Sequence, residues 1–323
     1  MNPQSWIKSR ARISPFEVIF WIACAALPFM FFESYLSLAA SVAITALFCI
    51  SLDLILGYAG IISLGHAAFF GIGAYTAGIL SANGWGEPIS GLVLAAVVSA
   101  IAGFIVSFMI VRVQHLALLM ITLGLSFLLT EVAISFDQLT GGSDGLQGID
   151  TWKLLGIWKF SLWGHTSFGY AIATLFVVFL IARRIVNSPF GLTLKAIREN
   201  PVRTTALGAP NRAHLQKIFT ISAAIAGIAG ALLVQTSETV SPEALGFQRS
   251  AEIAIMLILG GTGRLYGAII GAIIFMVARD QISGFYLQYW YFWIGLILIF
   301  VVLFMPRGIL GGLQSLARLG ARK

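Results

Sequence analysis

The chain is divided into long, nearly unbroken apolar runs, and their length is what a lipid bilayer demands. Apolar runs bounded by turn or charged residues fall at 16–34, 38–56, 61–82, 89–111, 115–136, 167–186, 215–236, 250–262, 264–280 and 287–305. A helix needs about 20 apolar residues to cross the hydrocarbon core. Lipid offers no hydrogen bonds to the backbone, so spanning segments are helices or closed barrels, and these runs lack the short alternation of a barrel strand. At 59% hydrophobic, the 323 residues include about 190 apolar ones, material for eight to ten crossings. Only 10% are charged, against about 25% in soluble domains. A soluble globule is excluded, and residues 1–323 read as a single all-α polytopic transmembrane domain.

The net charge of +7 is an orientation signal and not a nucleic-acid footprint. With the N-terminus inside, alternation over ten spans leaves only Lys153, Lys159, Arg249 and Arg279 of the 20 basic residues outside, as the positive-inside rule requires. Both termini are therefore expected in the cytoplasm. Lys8, Arg10 and Arg12 precede the first run, which reads as an uncleaved helix and not a signal peptide. The count is weakest at 61–82, where Gly57, Gly60, Gly65, Gly71, Gly73 and Gly78 favour a broken or re-entrant element. It is also weak at 250–262, a short run that ends in Gly260 and Gly261. If both are partial, eight crossings plus paired partial helices remain. Cys24 and Cys49 lie in apolar runs and read as packing residues.

Two loops stand out. The external loop, 137–166, combines turn glycines (Gly141, Gly142, Gly145) with Trp152, Trp158 and Trp163, an interfacial aromatic belt or a contact for an external partner. The internal loop, 187–214, encodes two short helices. Ser188 before Pro189, and Asn200 before Pro201, each place a capping side chain ahead of a proline at the first helical position. Gly208 and Pro210 then stop the second helix. Helices are expected over 189–199 and 201–207. A seven-residue helix is marginal alone, so it either lies on headgroups through its basic residues or docks on a cytoplasmic partner.

Ionisable groups at membrane depth are costly and each raises a functional question. Asp53, Glu131, Glu252 and Asp280 fall near span ends, where each is read as an ion pair or snorkelling position ahead of a substrate contact. His66, in the glycine-rich segment beside Ser63, either binds a carboxylate or satisfies a broken backbone. Ser63 and His66, with Thr122 and Ser126, form the candidate substrate path. Gly263, Gly267 and Gly271, spaced by four, are expected on one helix face that lets another backbone approach; Ala226 with Gly230, and Ala67 with Gly71, have the same spacing. No midplane carboxylate relay of a secondary transporter stands out. The chain has no phosphate-binding G-x-x-x-x-G-K-[ST] loop, no nucleophile elbow and no metal-ligand cluster, so an enzyme reading has little support.

The stretch AIREN at 196–200, ALG at 206–208 and SAAIAGIAGAL at 222–232 resembles the LivM-type permeases of the branched-chain amino acid ABC importer family. GYAGIISLGHAAF at 57–69, LTGGSDG at 139–145, VSP at 240–242 with Gly246 and Phe247, and LGGTG at 259–263 extend the resemblance from about 40 to 312. It implies a permease domain in the bacterial cytoplasmic (inner) membrane, paired with a second, LivH-type permease. It further implies two cytoplasmic ABC ATPases, which carry ATP and magnesium, and a periplasmic or lipid-anchored substrate-binding protein; the chain itself carries no cofactor. The loop 187–214 becomes the ATPase-coupling loop, through Arg198, Glu199, Asn200, Pro201, Val202, Arg203, Ala206, Leu207 and Gly208. The chain departs from the usual pattern at Pro201, Thr204 and Thr205, where alanines or acidic residues are commoner. The implied cargo is a branched-chain or similar small hydrophobic amino acid. Alternatives are a permease for urea or short amides, an ATP-independent secondary transporter, and a purely structural subunit.

Overall fold

The computed structural model describes residues 15–31, 35–113, 116–160 and 164–285, with isolated positions at 292–293, 295–296, 299, 303 and 308–311. The basic residues Lys8, Arg10 and Arg12, together with Trp163 and most of the expected span 287–305, lie outside the described residues. The elements are α1 (Pro15–Phe31), α2 (Leu36–Asp53) running into a π-helical turn (Leu54–Tyr58), α3 (Ala67–Ala82), α4 (Pro88–Ile110) and α5 (Leu116–Ser135). There follow α6 (His165–Val186), α7 (Pro189–Glu199), α8 (Pro201–Ala206), α9 (Asn211–Ser237), α10 (Phe247–Gly260) and α11 (Leu265–Phe285).

This is an all-α polytopic membrane protein. Among the described residues, 6 helices are long and apolar enough to cross a membrane: α2 with its π turn, α4, α5, α6, α9 and α11. Shorter apolar helices cover Glu17–Met30 and Ala67–Ala82. Three of the ten expected spans thus fall short of full crossings. The 16–34 run appears as the 17-residue α1. The 61–82 run becomes helical only at Ala67, and 250–262 appears as the 14-residue α10. The glycines flagged in the 61–82 run account for part of this, and side chains from distant helices, described below, for the rest.

The core is built on α2 and α9, in which 78% and 72% of the apolar window is buried, against 28% and 22% in α4 and α5. In α9, Ala223, Ala226, Gly227 and Gly230 form a face of small residues against which α3 and α4 pack. A Cβ on Gly230 would run into the Phe70 carbonyl, and one on Gly73 into Gly227. Such close backbone approach gains van der Waals contact where lipid provides no hydrophobic drive between helices. Arg183, in the last turn of α6, pairs with Glu17 of α1 at 2.7 Å; this ties the first helix to the bundle.

At one end of the bundle, here the basic end, stand α7 and α8. Pro189 and Pro201 open them, and the capping bonds are made: Ser188 Oγ accepts from the Gly191 N–H at 3.3 Å and Asn200 Oδ1 from that of Arg203 at 2.9 Å. At the opposite, tryptophan end, the 137–160 segment folds over 238–246. Leu146 and Val240 exchange both backbone bonds, at 2.9 and 3.0 Å, and the Ile149 N–H donates to Glu238 at 3.2 Å. Trp152 bonds its N–H to Gly86 at 2.8 Å and stands 6.1 Å from the Trp85 ring.

Candidate functional site

A long helix, a segment without α-helix and a short helix occur twice, the second such segment holding a 3-10 turn at Pro242–Leu245. The first set is α2, residues 59–66 and α3; the second is α9, residues 238–246 and α10. They enter from opposite ends, since α2 finishes at the basic end and α9 at the tryptophan end. Every backbone N–H and C=O freed in such a break needs a partner, and here several of the partners are hydroxyl groups from other spans. The Leu64 N–H donates to Thr122 Oγ1 of α5 at 3.2 Å, and the Ala67 N–H, which opens α3, donates to Ser250 Oγ of α10 at 2.8 Å. One turn from Thr122, Ser126 donates its hydroxyl to the Leu245 carbonyl of the second break at 2.5 Å. Gly71 of α3 lies directly against the Leu245 side chain. One face of α5 therefore binds both discontinuities.

Ser63 and His66 lie in the first break, both buried. His66 Nε2 is 2.9 Å from Ser51 Oγ of α2 and 3.4 Å from Ser222 Oγ of α9, and Ser222 donates to the Ser51 carbonyl at 2.5 Å. Its ring stacks on Phe48, centroids 5.7 Å apart. The imidazole thus joins three elements through side chains, while the backbone of the break is satisfied by Thr122 and Ser250. Ser63 Oγ and His66 Nδ1 have no hydrogen-bond partner among the described residues, so uncommitted polar atoms stand where the two breaks meet. The structure brings Ser63, His66, Thr122 and Ser126 into one region and adds Ser51, Ser222 and Ser250. A hydroxyl inside an apolar span was the available signal for these three, but their partners are up to 183 residues away in sequence.

At the basic end, Asp53 is fully buried and its Oδ1 accepts from the Gly263 N–H at 2.7 Å. Gly263 does not share a helix face with Gly267 and Gly271. It occupies the turn before α11, with φ +78°, where a β-carbon is strained. Gly267 and Gly271 do face another backbone, with Gly260 as the third member: a Cβ on Gly260 would meet the Gly267 carbonyl. Glu252 pairs with Arg249 at 3.3 Å and Arg279 at 3.8 Å.

In the 187–214 loop, α8 is held from behind. Asn211 Nδ2 donates to the Pro201 carbonyl at 2.8 Å and to the Thr204 and Thr205 hydroxyls at 3.0 and 2.9 Å. Thr204 is buried, while Glu199, Asn200, Pro201, Arg203 and Ala206 are exposed. Val202 and Leu207 are 78% and 80% exposed, and Gly208 ends the helix at φ +84°. Arg198 is exposed as well, but its guanidinium reaches back to donate to the Gly57 carbonyl in the π turn of α2. Among the described residues no group of three or more His, Cys, Asp or Glu is placed to hold a metal.

Residues 34–302 match the family described as "Branched-chain amino acid transport system / permease component". The chain is 30% identical to the LivM permease protein of the high-affinity branched-chain amino acid transport system of Salmonella typhimurium, over 90% of this chain and 73% of that one. Its identity to the LivM protein of Escherichia coli is 29%, over 91% and 74%. It is also 28% identical to the LivH permease protein of Escherichia coli, over 82% and 91%. No solved structure matches.

Proposed function

The chain belongs to the branched-chain amino acid transport permease family, and from that premise we propose that it is one membrane subunit of an ATP-driven importer of branched-chain or similar small apolar amino acids. In this reading it pairs with a second, related permease and receives cargo from a substrate-binding protein. It is driven by two cytoplasmic ATPases, since the sequence has no phosphate-binding loop of its own. The basic end faces the cytoplasm, the tryptophan end faces outward, and the chain resides in the inner membrane.

The observation that carries the reading is α8. A six-residue helix gains little stability from its own backbone. This one is capped by Asn200 and clamped by Asn211, yet it projects Val202 and Leu207 into solvent. Two apolar side chains on a rigid, protruding, polar-framed helix suit a groove on another protein. Closure of the ATPases on ATP then pulls α8 and opens the path outward, and hydrolysis resets it. The hydroxyl-lined meeting of the two breaks, otherwise walled by apolar side chains, suits weak passage of an apolar amino acid, with capture left to the binding protein.

The test is a cysteine at Val202 or Leu207 in the co-expressed transporter. Crosslinking to an ATPase subunit is the expected result; labelling by lipid-phase reagents alone would place α8 on the membrane and refute docking. Uptake of leucine measured against urea and acetamide decides the cargo, with leucine expected to be preferred.

A further inference from the structure

Arg198 sits in the last turn of α7, two residues before the cap that opens α8, and it joins that elbow to the membrane core. In the π turn Leu54–Tyr58 and the break after it, the regular helical pattern of carbonyl acceptors is interrupted. The Ile61 N–H, which a continuing α-helix would direct to Gly57, bonds instead to Ile55 at 2.9 Å. The Gly57 carbonyl receives the Arg198 guanidinium in its place. A side chain from another element thus completes the backbone where the span stops being a helix.

Two glycines make room for it, and a third packs the joint beneath. A Cβ on Gly60, where φ is +75°, would lie 2.9 Å from Arg198 Cγ, and one on Gly263 would lie 3.3 Å from its Nη1. A Cβ on Gly57 would collide with Asp53 Oδ1 and the Gly263 nitrogen. One turn earlier on α7, Lys195 Nζ stands over the Tyr58 ring, 5.0 Å from its centroid. Arg198 therefore lies where four pieces adjoin: the π turn of α2, the break that carries Ser63 and His66, the α7–α8 elbow and the α10–α11 turn that Asp53 holds through Gly263.

We propose that Arg198 is a positioning residue for transport, the link that passes motion of α8 to Gly57 and so to the break at 59–66. The proposal rests on the reading of α8 as the ATPase dock. The geometry favours transmission over simple capping for two reasons. An arginine fork has five donors and can stay attached while its acceptor shifts. The acceptor itself belongs to a π turn, a rare form frequent at functional sites, and it leads within nine residues to His66. Displacing α8 with Arg198 bound pulls on Gly57, and the break must follow, because its far side is held by Thr122 and Ser250.

The experiment uses the complete transporter in proteoliposomes, with uptake and ATP hydrolysis measured in the same vesicles. Arg198→Ala is expected to keep the Val202-to-ATPase crosslink and to hydrolyse ATP within about twofold of the parent, while uptake per ATP falls about tenfold or more. Arg198→Lys, which keeps the charge but not the fork, is expected to recover part of that ratio. An unchanged ratio in the alanine variant overturns the link. So does joint loss of crosslink and hydrolysis, which would make Arg198 part of the docking surface. If the alanine variant does not fold, the lysine variant decides by the same ratio: reduced supports the link, unchanged overturns it. Failure of the crosslink with Arg198 intact overturns the docking reading itself, and the link with it.

Discussion

At the tryptophan end, Leu146 and Val240 exchange backbone hydrogen bonds at 2.9 and 3.0 Å, whereas at the basic end the joint between α2 and α7 is made by side chains, Arg198 on the Gly57 carbonyl and Lys195 over the Tyr58 ring. The first contact joins main chain to main chain. It is hemmed by Gly145, whose φ of +70° brings its α-carbon against the Val240 carbonyl. Such a seam cannot shift by an ångström without losing both bonds. In the second, Arg198 is a long, flexible lever on one carbonyl, flanked by glycines, and can follow a moving partner. The two helix breaks are thus anchored differently: 238–246 is stitched to a rigid seam and 59–66 to a movable strut, with α5 holding both through Thr122 and Ser126. Under the proposed function, the end that must respond to an ATPase is the one built to move.

The largest effect is expected at the seam. Gly145→Val combines a strained backbone with a collision against Val240 and is expected to destabilise the protein by about 3 kcal/mol or more, read as a large fall in melting temperature in detergent. A melting temperature equal to the parent's would mean that the seam clamps nothing. At the basic end, Asn200→Ala removes the cap of α8, a local loss of about 1 kcal/mol. Faster hydrogen exchange across 201–206, weaker ATPase crosslinking and an unchanged global melting temperature are expected; a global fall instead would erase the contrast between the ends. The smallest effects belong to the shared bracket. Thr122→Val and Ser126→Ala each remove one hydroxyl and are expected to cost about 0.6–1.7 kcal/mol by denaturant titration. In uptake assays Thr122→Val should be the more harmful, because its partner Leu64 is in the movable break.

How much of this could be read from the chain depended on distance along it. The boundaries of α7 and α8 were legible because proline and the capping residues Ser188 and Asn200 act within three or four positions; 189–199 and 201–207 were expected against Pro189–Glu199 and Pro201–Ala206. The glycines of 57–78 announced a weak helix, but not that it would start at Ala67, since that start depends on Ser250, 183 residues away. Gly263 was expected on a helix face from its spacing to Gly267 and Gly271. The burial of Asp53 against its N–H makes the position a turn, which no local pattern encodes. His66 was singled out, while its partners Ser51 and Ser222 were not, because hydroxyls in apolar spans are common and only the fold pairs them. The exposed Val202 and Leu207 were part of the expected docking helix, yet the inward reach of Arg198, four residues before Val202, depends on where α2 ends.

If the basic end moves while the seam holds, hydrogen exchange on the assembled transporter reads both at once. Amides at 60–66 and at 146–149 would be compared in the resting complex and in one trapped with ATP and vanadate. A change in protection at 60–66 with 146–149 unaltered is expected. A change confined to 146–149, or none at 60–66, would contradict a moving basic end.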